Sequence, residues 1–512
     1  MIDFYEELDE LGLDSMITRP SYKTIYLTRH KEFSEKLNKI LKENLKVLLV
    51  GDPDPDGLMC LLQWKETFKL LNFNNYSVYP YNSRSHKLNP LAVKEAIDNK
   101  YDVIIINDTA SKAFDEIDEL IKNNVDIIII DHHETDRDYC DYPSRCLIIN
   151  SVIENRVNRN IRLTVSAGAL VFIILDAYLA DKKIDSNPLI CYALTSLYSD
   201  SIDMSSEINR GIYFSAVAYA DTDLPTPISM FLNERTKFCR RAIEFQYAPR
   251  LNCAFRSELF AVLNTYVNLS TQSSIVEFCP IIETLKEFHV KTSRMVEQVA
   301  DLIEFVDMNN LIIANMQSVD SYISINDNKL YNYTGLVANK LADKYKKAAV
   351  VYCGYEDIIK GSFRDLLARK YLPYFQEICD ADGHNSAFGM SIKPHQFMDF
   401  LDGVKKLSLL DLKSCMNTPM IFKYSHLPDY KQLYHMALYN EFGGNETPLV
   451  LIKKDYIGDV KVKSNKYSGI NDYNDFRYSW DDYLIVSKNK VNKGDTFLLR
   501  PTISQTLRLM NV

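Results

Sequence analysis

The chain has 512 residues, more than one ordinary core holds, and its 46% hydrophobic and 25% charged content suits two to four globular domains. No apolar run approaches the ~20 residues of a membrane span, and the acidic opening MIDFYEELDELGLDS lacks the basic start and apolar centre of a signal peptide. The net charge of −9 argues mildly against a general nucleic-acid coat protein but leaves a nuclease open, because a metal site consumes carboxylates and a basic groove can coexist with an acidic remainder.

Residues 1–45 read as short amphipathic helices, Lys31–Glu43 among them. The pattern then changes. Lys46–Gly51 (KVLLVG) predicts a strand, Leu58–Leu71 a helix, Ser77–Tyr81 a strand and Pro90–Asn99 a helix. Val103–Ile106 predicts a strand, Ser111–Lys122 a helix and Ile127–Ile130 another strand. Continuous β-branched runs alternating with helices imply parallel strands buried on both faces, hence an α/β sheet with crossover helices. Val165 to about Asp221 reads as mainly helical, and so does 230–310, with Thr284–Phe305 as a long connecting helix. A second α/β segment runs from about Leu311 to Phe400 and includes a helix at Gly335–Tyr345. The last ~95 residues, rich in Tyr, Asn, Asp and β-branched types, suggest a small mostly-β module. The ten cysteines are scattered with no CxxC pair; with no export signal they read as free thiols in a reducing cytoplasm.

Four acidic or histidine-bearing features read as lying at the carboxyl ends of strands, where an open α/β sheet binds its ligands. They are Asp52-Pro53-Asp54-Pro55-Asp56-Gly57 after KVLLVG, Asp108 after VIIIN, Asp131-His132-His133 after DIIII, and Asp200 after the helical Leu189–Leu197. Each proline biases the aspartate before it toward an extended conformation, and Gly57 permits a turn into a helix whose N-terminus can meet a phosphate. A lone aspartate at a strand end is usually a cap or a turn residue. Four such features in succession are different, since clustered carboxylates need positive charge to stay ionised and a metal pair supplies it. Oxygen ligands with imidazole favour Mn2+ over Mg2+. Two such ions roughly 3.5–4 Å apart can hold the attacking and leaving oxygens of a displacement at phosphorus.

The order DxDxDG, Asp, DHH and a later Asp in a helical region resembles the DHH phosphoesterase superfamily. By that resemblance Asp54, Asp56, Asp108, His132 and Asp200 match metal ligands, with Asp108 bridging two divalent cations, Mn2+ preferred and Mg2+ tolerated. Asp52 lies where some members use a ligand. His133 matches a residue that contacts the scissile phosphate, and Asp131 would orient the histidine loop. Two-metal activation of water requires no side-chain nucleophile. The DxDxDG opening, Leu163–Leu170 (LTVSAGAL) and Leu197–Arg210, with its trailing Glu207, Asn209 and Arg210, resemble the RecJ-like single-strand nucleases. Further on, Thr334–Tyr345, Gly361-Ser362-Phe363-Arg364 and Asp382-Gly383-His384 through Gly389 resemble the DHH-associated domain, with Asp382 in place of a glycine. Ser362, Arg364, Gly383 and His384 would then bind substrate.

The resemblance covers roughly residues 46–400, so the chain is expected to divide into an N-terminal helical extension (1–45, from its periodicity alone), a parallel-sheet DHH catalytic domain (46–230), a helical connector (231–310) and a second α/β, DHH-associated domain (311–405). A β-rich C-terminal module (415–512) compatible with an OB-like fold completes it. Within that module Lys453–Tyr467 mixes basic and aromatic residues, as single-stranded nucleic-acid surfaces do, and equally as a solvated hairpin does. Lys237, Arg240, Arg241 and Arg250 form a second basic cluster that either lines a channel or faces solvent. The function implied is a cytoplasmic, metal-dependent exonuclease on single-stranded DNA, acting 5′ to 3′ in repair or recombination. The alternative is a phosphodiesterase for short oligonucleotides, cyclic dinucleotides or bisphosphorylated nucleosides. A non-catalytic DHH scaffold is the third reading, disfavoured because every expected ligand is present.

Overall fold

The computed structural model describes residues 4–10, 14–232, 237–269, 275–319, 330–355, 357–365, 368–384, 387–408, 420–424, 428–442, 448–453, 476–480, 483–487, 496–502 and 506–510. Among these, no helix is long and apolar enough to cross a membrane. The chain divides into two compact units, Met1–Lys286 with Pro419–Val512, and Glu287–Thr418.

The first unit is built on a wholly parallel sheet of β1 (Val47–Gly51), β2 (Tyr76–Val78), β3 (Val103–Asn107), β4 (Asp126–Asp131) and β5 (Cys146–Asn150), in the order β2-β1-β3-β4-β5. Side chains alternate between its faces. Leu49, Ile105, Ile128, Ile130 and Ile149 enter one core, while Leu48, Val50, Ile104, Ile106, Ile127 and Ile129 enter the other. Two buried faces explain why these strands are apolar without interruption. The β1–β2 crossover helix, Pro55–Leu70, packs in the first core. The helices Pro90–Asp98 and Phe114–Lys122 pack in the second through Ala92, Val93, Ile117 and Leu120. The crossovers change face between β1 and β3, which opens a crevice at their carboxyl ends.

Several boundaries differ from the sequence expectations for local reasons. The helix expected from Ser111 begins at Phe114, because Asp108 (φ 65°) and Ala110 (φ 81°) turn left-handed and Ser111 N–H is committed to Asp131 Oδ2 at 3.1 Å. β2 covers Tyr76–Val78 only, since the chain beyond Tyr79 leaves the sheet as a polar loop. β5 was not expected; it follows β4 through a short 3-10 turn, Tyr139–Asp141, without a crossover helix to announce it. The long helix runs Ile275–Leu302 with Pro280 inside its first turns, rather than Thr284–Phe305.

The C-terminal part of the first unit is a six-stranded mixed sheet. Its strands are β12 (Met420–Tyr424), β13 (Pro448–Lys453), β14 (Phe476–Trp480), β15 (Tyr483–Ser487), β16 (Thr496–Thr502) and β17 (Thr506–Met510), ordered β12-β13-β16-β17-β15-β14. A helix, Tyr430–Glu441, seats Leu433, Met436 and Leu438 in the same core as Phe4, Val450 and Leu499. Most of the basic stretch Lys453–Tyr467 lies outside the described residues.

The second unit is another six-stranded mixed sheet, with β6 (Phe305–Met308), β7 (Leu311–Asn315), β8 (Ala348–Tyr355), β9 (Ile358–Arg364), β10 (Asp380–His384) and β11 (Ala387–Ile392) ordered β10-β11-β9-β8-β7-β6. One face packs on the helix Thr334–Tyr345 through Val337, Ala338 and Leu341. The other packs on Phe375, Phe400 and Val404 from the helices Ala368–Gln376 and Phe397–Ser408.

Candidate metal centre

The loop after β1 is shaped by hydrogen bonds that its sequence permits. Asp54 is extended (φ −148°, ψ 177°) before Pro55 and caps the following helix, its Oδ1 accepting Gly57 N–H at 2.9 Å. Gly57 is needed for close approach, because a Cβ there would lie 2.4 Å from the Asp52 carbonyl oxygen. Asp56 then points inward to the N-terminus of the helix Ala167–Asp181. Its carboxylate accepts Ala167 N–H at 2.9 Å, Gly168 N–H at 2.8 Å and the Ser196 hydroxyl. The small residues of LTVSAGAL thus form a cradle for a buried carboxylate.

Asp108 follows β3 and is tied into the sheet by its own N–H, 2.8 Å from the Ile130 carbonyl. At the end of β4, Asp131 Oδ1 accepts His132 N–H at 2.8 Å, His133 N–H at 3.2 Å and His133 Nδ1–H at 2.7 Å. Asn150 donates to the His133 carbonyl at 3.1 Å, which fixes the loop from β5. Asp200 ends the helix Asn187–Ser199, and the loop after it is clamped by Asn209, which donates to Thr164 O at 2.7 Å and Asp203 O at 2.8 Å. The buried Arg210 donates to the Ser205 carbonyl in the same loop.

These elements converge. His132 Nε2 lies 3.3 Å from Asp108 Oδ1, 3.6 Å from Asp200 Oδ2 and 3.9 Å from Asp56 Oδ2. Three sets of groups bring their ligand atoms within 4.8 Å of one another: Asp108, His132 and His133; Asp56, His132 and Asp200; and Asp52, Asp54 and His86. Burial pushes the Asp52 carboxyl up to about 6 and Asp56 up to about 7, and Asp54 adds to both. Burial raises Asp108 and Asp200 well above the usual carboxylate range, with neighbouring aspartates reinforcing the shift. Burial also acts to raise Asp131, but the hydrogen bond and charge of His133, with the charge of His132 and the Ser111 hydrogen bond, together outweigh it and hold Asp131 below its ordinary value. The buried Asp52 Oδ1 and Asp108 Oδ1 accept no hydrogen bond among the described residues. Mutually repelling carboxylates, orphaned oxygens and imidazole together fit divalent cations, with Asp52, Asp54, Asp56, Asp108, His132 and Asp200 as their holders.

In the second unit, β9, β11 and β10 bring the remaining expected residues together on adjacent strands. Ser362 pairs with Gly389, Arg364 with Ala387, Ala387 with His384, and Gly383 with Phe388. Ser362 Oγ is 2.9 Å from Thr334 Oγ1, and Arg364 Nη1 donates to the Phe363 and Phe388 carbonyls at 2.7 and 3.3 Å. Asn385 and Ser386, at the hairpin tip, lie outside the described residues.

Residues 46–196 match the model of the DHH family, N-terminal domain. The chain carries a DHH domain. It is 24% identical over 334 residues to a putative SPbeta prophage-derived single-strand DNA-specific exonuclease, YorK, of Bacillus subtilis, covering 58% of this chain and 55% of that protein. It is 21% identical over 462 residues to the single-stranded-DNA-specific exonuclease RecJ of Bacillus subtilis, covering 85% of this chain and 56% of that protein. The chain therefore spans about half the length of these curated relatives. The Mn2+ complex of RecJ from Thermus thermophilus superposes with a TM-score of 0.71 at 14% identity, over 98% of this chain and 74% of that one, which establishes a shared fold.

Two contributors to the DHH site were missed by sequence reasoning. Ser196 completes the Asp56 cradle from the helix before Asp200, with only a small residue at helical spacing as its signal. His86 sits in a polar loop outside every motif, yet its Nδ1 contacts Asp52 Oδ2. Two members of the basic cluster have structural partners: Arg240 binds Glu244 Oε1 at 2.8 Å and the Asn440 carbonyl at 2.9 Å, and Arg250 binds the Phe231 carbonyl at 2.6 Å, while Lys237 and Arg241 are exposed. Arg240 and Arg250 hold structure together, so neither is left simply facing solvent.

Proposed function

We propose that this chain is a divalent-metal-dependent phosphodiesterase that shortens single-stranded DNA from its 5′ end. The observation that carries the reading is the convergence of five aspartates and two histidines of the DHH motifs on the carboxyl end of one parallel sheet. Two bound cations, Mn2+ preferred, would neutralise phosphate charge and activate water. The protein's own groups have separable tasks. The Asp56 cradle and the clamped loop of Asp200 hold ligands that would otherwise repel one another. Asp131, kept as a carboxylate, takes the Nδ1–H of His133 and leaves Nε2 to face a phosphoryl oxygen. Ser362, Arg364, Gly383 and His384 are assigned to binding substrate phosphates, a bidentate task that suits Arg364.

The preference for single strands rests on the exonucleases that the chain resembles. The test uses strands of about 30 nucleotides, the usual scale for several single-strand contact sites, labelled at the 5′ or the 3′ end and incubated with Mn2+ beside a dinucleotide. Progressive shortening from the 5′ end is expected. Cleavage of the dinucleotide alone would replace the substrate with a small one, and no Mn2+-dependent cleavage of either would refute the function.

A further inference from the structure

We propose that His86 is a metal ligand, forming with Asp52 and Asp54 a donor set for one divalent cation; this assignment rests on the metal-dependent reading above. The three side chains bring ligand atoms within 4.8 Å of one another, and His86 Nδ1 already meets Asp52 Oδ2. A second observation points to a missing partner. Asp52 is 3% exposed, and its Oδ1 accepts no hydrogen bond among the described residues. An oxygen buried in that state is costly unless a cation engages it.

The loop that presents His86 is built to hold it there. At its start, Tyr79 N–H reaches the Leu49 carbonyl of β1 at 2.8 Å. Asn264 then grips Tyr81 on both sides, accepting its N–H at 2.7 Å and donating to its carbonyl at 2.9 Å. Asn89 donates to Asn82 Oδ1 at 2.7 Å and closes the loop on itself. Thr109, one residue past Asp108, donates its hydroxyl to the His86 carbonyl at 3.0 Å. The loop is thus pinned to the ends of both strands that carry the aspartates. Two carboxylates and one imidazole make a mixed oxygen and nitrogen set that Mn2+ accepts readily. The competing role is simple charge compensation, in which His86 neutralises Asp52 and binds no metal.

Mn2+ titrations of the full chain, followed by electron paramagnetic resonance with nitrogen hyperfine couplings, separate these roles. The wild type is compared with His86→Ala and His86→Lys. The His86 side chain is 64% exposed, so neither variant disturbs a core. His86→Ala is expected to lose one nitrogen coupling and to bind one Mn2+ equivalent roughly tenfold or more weakly, the scale of losing a supporting group at a metal site. His86→Lys is expected to bind more weakly still, because its ammonium repels the ion. Unchanged affinity and couplings in His86→Ala, or wild-type binding in His86→Lys, would overturn the ligand role while leaving the metal-dependent function intact. A wild type that takes up no Mn2+ would overturn both.

Discussion

His132 Nε2 stands 3.3 Å from Asp108 Oδ1, nearer than the neighbouring His133 Nδ1 at 3.9 Å. Asp56 and Asp200 crowd the same nitrogen at 3.9 and 3.6 Å, and such carboxylates repel unless a cation lies among them. Asp108→Asn keeps the shape and removes one charge. It is expected to cut Mn2+-dependent turnover on the order of a thousandfold or more, as removal of one member of a cooperating set does. With chelator present it should melt no lower than wild type, since burial already disfavours the ionised carboxylate. Turnover within tenfold of wild type, measured at saturating Mn2+, would refute the assignment.

Much of this arrangement was legible before the structure. Runs such as VIIIN and DIIIID report two-sided burial directly, so the strands that lead into Asp108 and Asp131 could be placed from sequence alone. What escaped was non-local. His86 is a lone histidine in a polar loop, and nothing local marks its contact with Asp52. Arg240 read as part of a basic surface because its buried partner, Glu441, lies far along the chain. β5 escaped because no amphipathic helix separates it from β4.

Gly168 leaves no room for a side chain. A Cβ there would lie 2.6 Å from Ser196 Oγ and 3.0 Å from Asp56 Oδ1. Gly168→Ala should therefore destabilise the protein by roughly 1–3 kcal/mol through overpacking. It should also weaken Mn2+ binding by displacing Asp56. Ser196→Gly makes the space, so the cost of Gly168→Ala should shrink in that background. Equal costs in both backgrounds, read from denaturant unfolding, would show that the cradle is not the source.

Arg364 belongs to the second unit, where its Nη1 is held by two backbone carbonyls beside the β10–β11 hairpin. A guanidinium fixed in this way is suited to a phosphate, and losing one charge-assisted hydrogen bond of about 1.5–3 kcal/mol corresponds to roughly 10- to 100-fold in binding. Arg364→Ala is expected to raise KM on that scale and to change kcat little. A collapse of kcat with KM unchanged would remove Arg364 from substrate binding and make it part of the chemistry.

Glu441 gives a prediction about pH that is independent of the metal centre. Its Oε2 accepts Arg240 N–H at 3.0 Å, yet burial raises its carboxyl to about 7, outweighing the pull of Arg240. The folded protein therefore holds a proton that the unfolded chain releases near pH 4.5. Stability from this group is greatest below the unfolded value and falls as pH rises toward 7, by roughly 1–3 kcal/mol. Glu441→Gln cannot ionise, so its stability profile between pH 5 and 8 should be flatter than that of the wild type, and the two curves should converge at the acid end. Parallel curves across that window, measured by chemical denaturation in chelator, would mean that Arg240 compensates the buried charge fully and that Glu441 stays ionised throughout.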